Sequence, residues 1–116
     1  MKYKVLTTSW FEREFKRLLK KYPSLKSDFI AFQERLIDEP RGGTSLGLST
    51  YKWRVAVKSK AHGKSGGLRA VTYLEADVFV EETTNIVLLS LYDKSETASI
   101  SKDEIKSRIR AYQKKK

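Results

Sequence analysis

Tyr51-Lys-Trp-Arg-Val-Ala-Val-Lys-Ser-Lys60 is the stretch that decides the fold. Before it, apolar residues recur at helical spacing. Here they recur at every second position. Tyr51, Trp53, Val55 and Val57 fall on one side of an extended chain, and Lys52, Arg54, Ala56, Lys58 and Lys60 on the other. That pattern is a strand with one apolar and one basic face. An apolar sheet face must be buried against another layer, so the helices around it have to supply that layer.

Upstream, Met1–Leu6 alternates Tyr3 and Val5 with Lys2 and Lys4, as a first strand would. Ser9-x-x-Glu12 reads as a capping box that opens a helix. Phe11, Phe15, Leu18, Leu19 and Tyr22 make its apolar stripe. Tyr22-Pro23 closes it, because the residue before proline avoids the helical region. Ser24 can cap a second helix over Leu25–Asp38, with Leu25, Phe29, Phe32 and Leu36 on one face and Pro40 as its stop. So short a turn predicts an antiparallel helix pair. Arg41 to Gly47 is a loop by composition.

Downstream, residues 61–67 read as a flexible connection and Leu68–Leu74 as a strand. Glu75–Asn85 is polar and predicts a turn region. Ile86–Tyr92 is apolar on both faces and predicts a central strand. Ser101-x-x-Glu104, with Ile100 and Ile105 as a hydrophobic staple, starts a short terminal helix carrying Ile109 and Tyr112. The order is β-α-α-β-β-β-α without internal repeats. It predicts an α+β fold: a small antiparallel sheet, two N-terminal helices packed on one face, and a short C-terminal helix.

The 116 residues predict one domain, 1–116, with 40% apolar content to fill a core. No cysteine and a single histidine, His62, exclude disulfides, thiolate metal sites and any site built on two imidazoles. No apolar run approaches a membrane span, and the N-terminus lacks a signal-peptide pattern. A soluble cytoplasmic protein without cofactor or metal is therefore expected. The net charge of +10 predicts a polyanionic partner. Residues 41–74 hold seven basic residues and no acid, and 105–116 hold six and no acid. The intervening 75–104 carry eight acids against Lys94 and Lys102.

If the helices cover the Trp53 face, the opposite face is open and positive. Lys52, Arg54, Lys58 and Lys60 line it, Arg69 joins from the neighbouring strand, and Lys94 follows the central strand. Cations gathered without interleaved acids repel one another, and they suit phosphodiester binding. Gly63-Lys64-Ser65-Gly66-Gly67 lacks the four-residue spacer of a nucleotide-binding P-loop. It reads instead as a basic loop able to close over a polyanion. His62 is an acid–base candidate in that loop. Tyr92-Asp93-Lys94-Ser95-Glu96 is a polar cluster at the end of the apolar strand, and Asp93 and Ser95 can equally serve as turn residues.

Tyr51–Lys60, Gly63-Lys-Ser-Gly-Gly67-Leu-Arg69, Val71-Thr-Tyr73 and Leu88-Leu-Ser-Leu-Tyr92-Asp-Lys94-Ser-Glu96 together resemble the RelE/HigB-like toxins of bacterial type II toxin–antitoxin systems. The resemblance runs over essentially the whole chain. It implies a ribosome-dependent mRNA endonuclease that inhibits translation, with two partners: mRNA on the ribosome and a cognate antitoxin protein. It implies attack by the ribose 2′-hydroxyl on the adjacent phosphate, without cofactor or metal. It places Lys58, Lys60, Arg69 and Lys94 in the catalytic site, with Arg69 stabilising the pentavalent phosphate. Lys52, Arg54, Lys64 and Tyr92 then bind RNA. A lysine can act as general base where neighbouring cations lower its pKa. The C-terminal tyrosine of RelE proteins falls at about Ile100, which leaves Tyr92 as the nearby phenol. ParE-type proteins share the fold but inhibit DNA gyrase without cleaving RNA. That reading, and a non-catalytic RNA-binding module, are the alternatives.

Overall fold

The computed structural model describes residues 2–59, 67–77 and 79–115. The elements are β1 (Lys2–Thr7), α1 (Ser9–Lys21), α2 (Leu25–Asp38), β2 (Thr44–Gly47), β3 (Thr50–Val55), β4 (Leu68–Ala76), β5 (Thr83–Asp93) and α3 (Lys102–Lys114). The five strands form one sheet in the order β1-β5-β4-β3-β2. The α+β class is the expected one. The sheet is mixed, because β1 runs parallel to β5, from Lys2 opposite Thr83 to Thr7 opposite Leu88. The helices carry the chain from β1 at one edge to β2 at the other, as a crossover must. The hairpins then fill the sheet inward until β5 closes beside β1.

The helices form where the apolar stripes lie, with two differences at their caps. Thr8, not Ser9, caps α1: its Oγ1 accepts from the Phe11 amide at 3.3 Å and donates to the Leu88 carbonyl at 2.9 Å. Glu12 is reached by the Thr7 hydroxyl instead of returning to a serine. Ser24 occupies the N-cap position of α2, but its hydroxyl donates to Asp28 Oδ2 at 2.6 Å and is 2.8 Å from Ser59 Oγ. It ties the helix start to the turn that follows β3. At α3 the expected cap holds, with Ser101 Oγ accepting from the Glu104 amide at 3.1 Å.

β2 falls in the stretch composition reads as loop. Thr44 and Ser45 pair with Lys52 and Tyr51, and this pairing overrides the poor strand propensity. Gly43 permits it: a Cβ there would lie 2.7 Å from the Lys52 carbonyl and 2.9 Å from the Trp53 ring.

Two cores flank the sheet. On one face α1 and α2 bury Trp53, Val55, Leu68, Ala70, Ile86, Leu88 and Leu91 beneath Phe11, Leu18, Leu25, Phe32 and Leu36. On the other, Ile105 and Ile109 of α3 cover Val71, Val87, Leu89 and Tyr92. The second face is therefore not open throughout. Its apolar part, on β4 and β5, is roofed by α3, because Val71, Val87 and Leu89 had to be buried somewhere.

A bulge in β5 sets which residue faces which layer. Val71 pairs with Ser90 and Thr72 with Leu88, so Leu89 is an extra residue. Ile86 and Leu88 face α1 and α2 before the bulge, and Leu91 does so after it. Asp93 consequently points toward α1, fully buried, where it accepts from the Tyr22 hydroxyl at 2.5 Å and from Ser95 N and Oγ at 2.9 and 2.7 Å. Lys21 Nζ stands 3.7 Å away. Tyr22→Phe removes a hydrogen bond to a buried carboxylate and should lower stability by about 1.5–3 kcal/mol. Urea unfolding measures this, and an unchanged midpoint would show that the tie contributes nothing.

Candidate functional site

The site is built where β3 ends, β4 begins and β5 ends. Arg54 pairs with Arg69, and Arg69 with Tyr92. Directly opposed residues share a face, so Arg54, Arg69 and Tyr92 form one row across three strands on the face away from α1 and α2. Without the bulge, Leu91 would stand in the place of Tyr92. Gly67, which leads into β4, sits at φ +90°, and a Cβ there would lie 2.4 Å from the Val55 carbonyl. Only glycine lets β4 start this close to the end of β3.

Two arginines opposite one another repel, and Arg69 is in addition only 6% exposed. Arg69 Nη1 reaches the Leu68 carbonyl at 3.4 Å. Beside it, burial pushes the Tyr92 phenol above its ordinary pKa, and the Arg69 charge offsets only part of that. Tyr92 therefore holds its proton. This suits a hydrogen-bond donor and disfavours the base role open to it on proximity.

Of the other expected residues, Arg54, Lys58 and Lys94 are exposed, and Lys52 is half-buried two positions before Arg54. β3 stops at Val55, earlier than the alternation suggests, and Lys58 lies in the turn beyond it. Its amide donates to Asp28 Oδ2 at 3.1 Å, which pins that turn to the start of α2. Lys94 follows Asp93 in a turn held to α1 by Glu96, whose carboxylate meets Arg17 at 2.8 Å and Lys21 at 3.3 Å. The Arg17 hydrogen bond lowers the Glu96 pKa. Lys60, His62 and Lys64 lie outside the described residues. Arg54, Arg69, Tyr92, Lys58 and Lys94 thus gather at one end of the sheet, and Lys52 stands farther along β3. The expected open basic face is narrower than the strand pattern implies, with Arg69 as its floor.

Trp10, Arg13 and Arg108 were not singled out by sequence. They line a cleft of about 540 Å³ that Tyr92 also borders. A signal was present: Trp10 and Arg13 are spaced i, i+3 on α1, outside its apolar stripe.

The chain matches no protein-family model and no curated protein. Among solved structures it is similar to the E. coli toxin RelE, a double arginine-to-alanine mutant in the free state. The TM-score is 0.55 at 14% identity, over 84% of this chain and 90% of that one. The fold is therefore RelE-like. No helix among the described residues is long and apolar enough to cross a membrane.

The Tyr92 environment can be tested by absorbance titration of parent and Tyr92→Phe. The phenol missing from the variant should be one that ionises above the usual tyrosine pKa of about 10. A raised folded pKa means that this group's contribution to stability is complete below about pH 10 and is lost as pH rises through the folded value. A Tyr92 signal at or below the ordinary value would refute the burial effect.

Proposed function

We propose that this chain is the toxin of a type II toxin–antitoxin system, of RelE/HigB type, and cleaves mRNA on the ribosome. The Arg54–Arg69–Tyr92 row carries the reading. A guanidinium at the floor of a cationic surface, aligned across paired strands with Arg54 and Tyr92, is placed to meet a phosphate. The RelE-like fold supports the same reading at the level of architecture.

In the proposed reaction the 2′-oxygen forms a bond to the adjacent phosphorus and the bond to the 5′-oxygen breaks. The 2′-hydroxyl loses its proton to a base, and the leaving 5′-oxygen gains one. The products are a 2′,3′-cyclic phosphate and a 5′-hydroxyl end. Arg69 stabilises the charge that builds on the non-bridging oxygens. Tyr92, protonated, donates a hydrogen bond beside it. Lys58 and Lys94 flank the row, and Lys58, Lys60 and Lys94 serve in proton transfer. Arg54, Lys52 and Lys64 hold the RNA backbone. A cognate antitoxin with an acidic, partly disordered segment is steered to this +10 chain and covers the same cations.

Induced expression should arrest growth, and primer extension on cellular mRNA should reveal new 5′ ends. Arg69→Met keeps most of the buried aliphatic volume, so it should fold, confirmed by urea unfolding, yet lose cleavage by on the order of 10²–10³. A folded variant that cleaves at the parental rate would remove Arg69 from catalysis. Intact mRNA together with altered DNA supercoiling would favour the gyrase-inhibiting alternative.

Binding of a single-stranded RNA that lacks the attacking hydroxyl should weaken with salt. Contacts from Arg54, Lys52 and Lys64 to the backbone and from Arg69 to the phosphate set a slope of log K against log salt of about −3. Arg54→Ala should bring that slope toward zero by about 0.7. A salt-independent affinity would exclude phosphate contacts as its source.

A further inference from the structure

β1 covers β5 only as far as Leu88, and β5 continues to Asp93 with β4 on its other edge. A bare edge invites another strand. Here side chains close it. Thr8 Oγ1 donates to the Leu88 carbonyl at 2.9 Å, and Arg108 Nη1 to the Leu89 carbonyl at 3.0 Å. The space beyond the end of β1 is the 540 Å³ cleft between α1 and α3, within the range that holds a small-molecule group.

One wall is the half-buried Trp10, with the Arg108 guanidinium 5.5 Å from its ring centroid. Arg108 is held in turn by Glu104, Nε to Oε2 at 3.0 Å, and by the Leu89 carbonyl. The two flat groups are therefore fixed before anything binds, which lowers the entropy cost of binding. Arg13, one turn along α1, adds an exposed cation. Ser90 lines the cleft at 3% exposure, and its hydroxyl has no hydrogen-bond partner among the described residues. A buried hydroxyl left unpaired awaits a polar group.

We infer that this cleft binds one unpaired nucleobase of the RNA, next to the nucleotide whose phosphate lies on Arg69. This rests on the RNA-cleaving function proposed above. Tyr92 joins the two places, since it ends the Arg54–Arg69–Tyr92 row and also lines the cleft. Adjacent strands are about 4.8 Å apart, so a phosphate at Arg69 sits one strand spacing from the cleft floor. The base stacks on the Trp10–Arg108 wall, as unpaired bases do on aromatic and guanidinium planes. Its polar edge meets the strand edge at Ser90 and Leu91, which line the cleft. Glu14 and Glu104 also line the cleft, where their carboxylates can accept from an exocyclic amino group.

The test uses the full chain and a hexanucleotide whose 2′-positions are deoxy, so that binding is read without cleavage. The indole N–H signals of Trp10 and Trp53 are distinguished by Trp10→Phe. On titration the Trp10 signal should shift saturably and the Trp53 signal should stay in place, since Trp53 is buried in the other core. Trp10→Ala should weaken affinity by about tenfold or more, in line with loss of one stacked base. An oligomer abasic at one position should bind parent and variant alike. Binding that leaves Trp10 unmoved overturns the cleft assignment and spares the RNA reading. Absence of any salt-sensitive binding overturns both. A Trp10 shift produced by the antitoxin and not by the oligonucleotide makes the cleft a peptide-docking edge and also overturns the proposal.

Discussion

One residue more on β5 than on β4 sets the phase of the molecule. Leu89 has no partner in the ladder, and every side chain after it changes face relative to an unbroken strand. Because of it, Leu91 enters the core under α1 and α2, Tyr92 turns to Arg69, and Asp93 turns inward to Tyr22 and Ser95. Removing that offset would put a leucine beside Arg69 and a carboxylate on the cationic face. The buried Asp93 cluster and the cationic row are thus two consequences of one register shift.

Charge is sorted by the ends of the sheet. Arg54, Arg69, Lys58 and Lys94 collect where β3 and β5 finish and β4 begins. The β4–β5 turn at the other end carries Asp77, Glu81 and Glu82. There Asp77 accepts from the amides of Phe79 and Val80 at 2.8 and 3.0 Å and pairs with Lys4 at 3.1 Å. Those amides and Lys4 hold its carboxyl at about 2, well below the usual range. A molecule whose exposed cations gather at one end of its sheet is oriented as it approaches a polyanion, and it presents that end first.

α3 completes the second core and packs on Tyr92, leaving Arg54, Lys58 and Lys94 exposed at that end of the sheet. Ile105 and Ile109 meet Val71, Val87 and Leu89, and Arg108 reaches past them to the open edge of β5. The same helix therefore buries apolar surface and closes the edge that β1 leaves bare. Trp10, placed off the apolar stripe of α1, becomes a wall only because α3 brings Arg108 over it.

Local periodicity located the helices and β3, β4 and β5 with their apolar faces, although β3 stops at Val55 and the stretch 75–85, which reads as a turn, ends β4 and begins β5. Each follows from side chains a few positions apart, and Leu25–Asp38 came out with its observed ends. The cationic character of the β3 face was legible in the same way, from Lys52 and Arg54. Other features depended on contacts between distant segments. β2 exists because β3 offers it an edge, and β1 is parallel because the helices carry the chain across the sheet. Arg69 is buried and aligned with Tyr92 because two strands pair around one extra residue, and the cleft exists because β1 ends five residues before β5 does. Register and relative strand length are properties of pairs of segments, and no single segment's pattern encodes them.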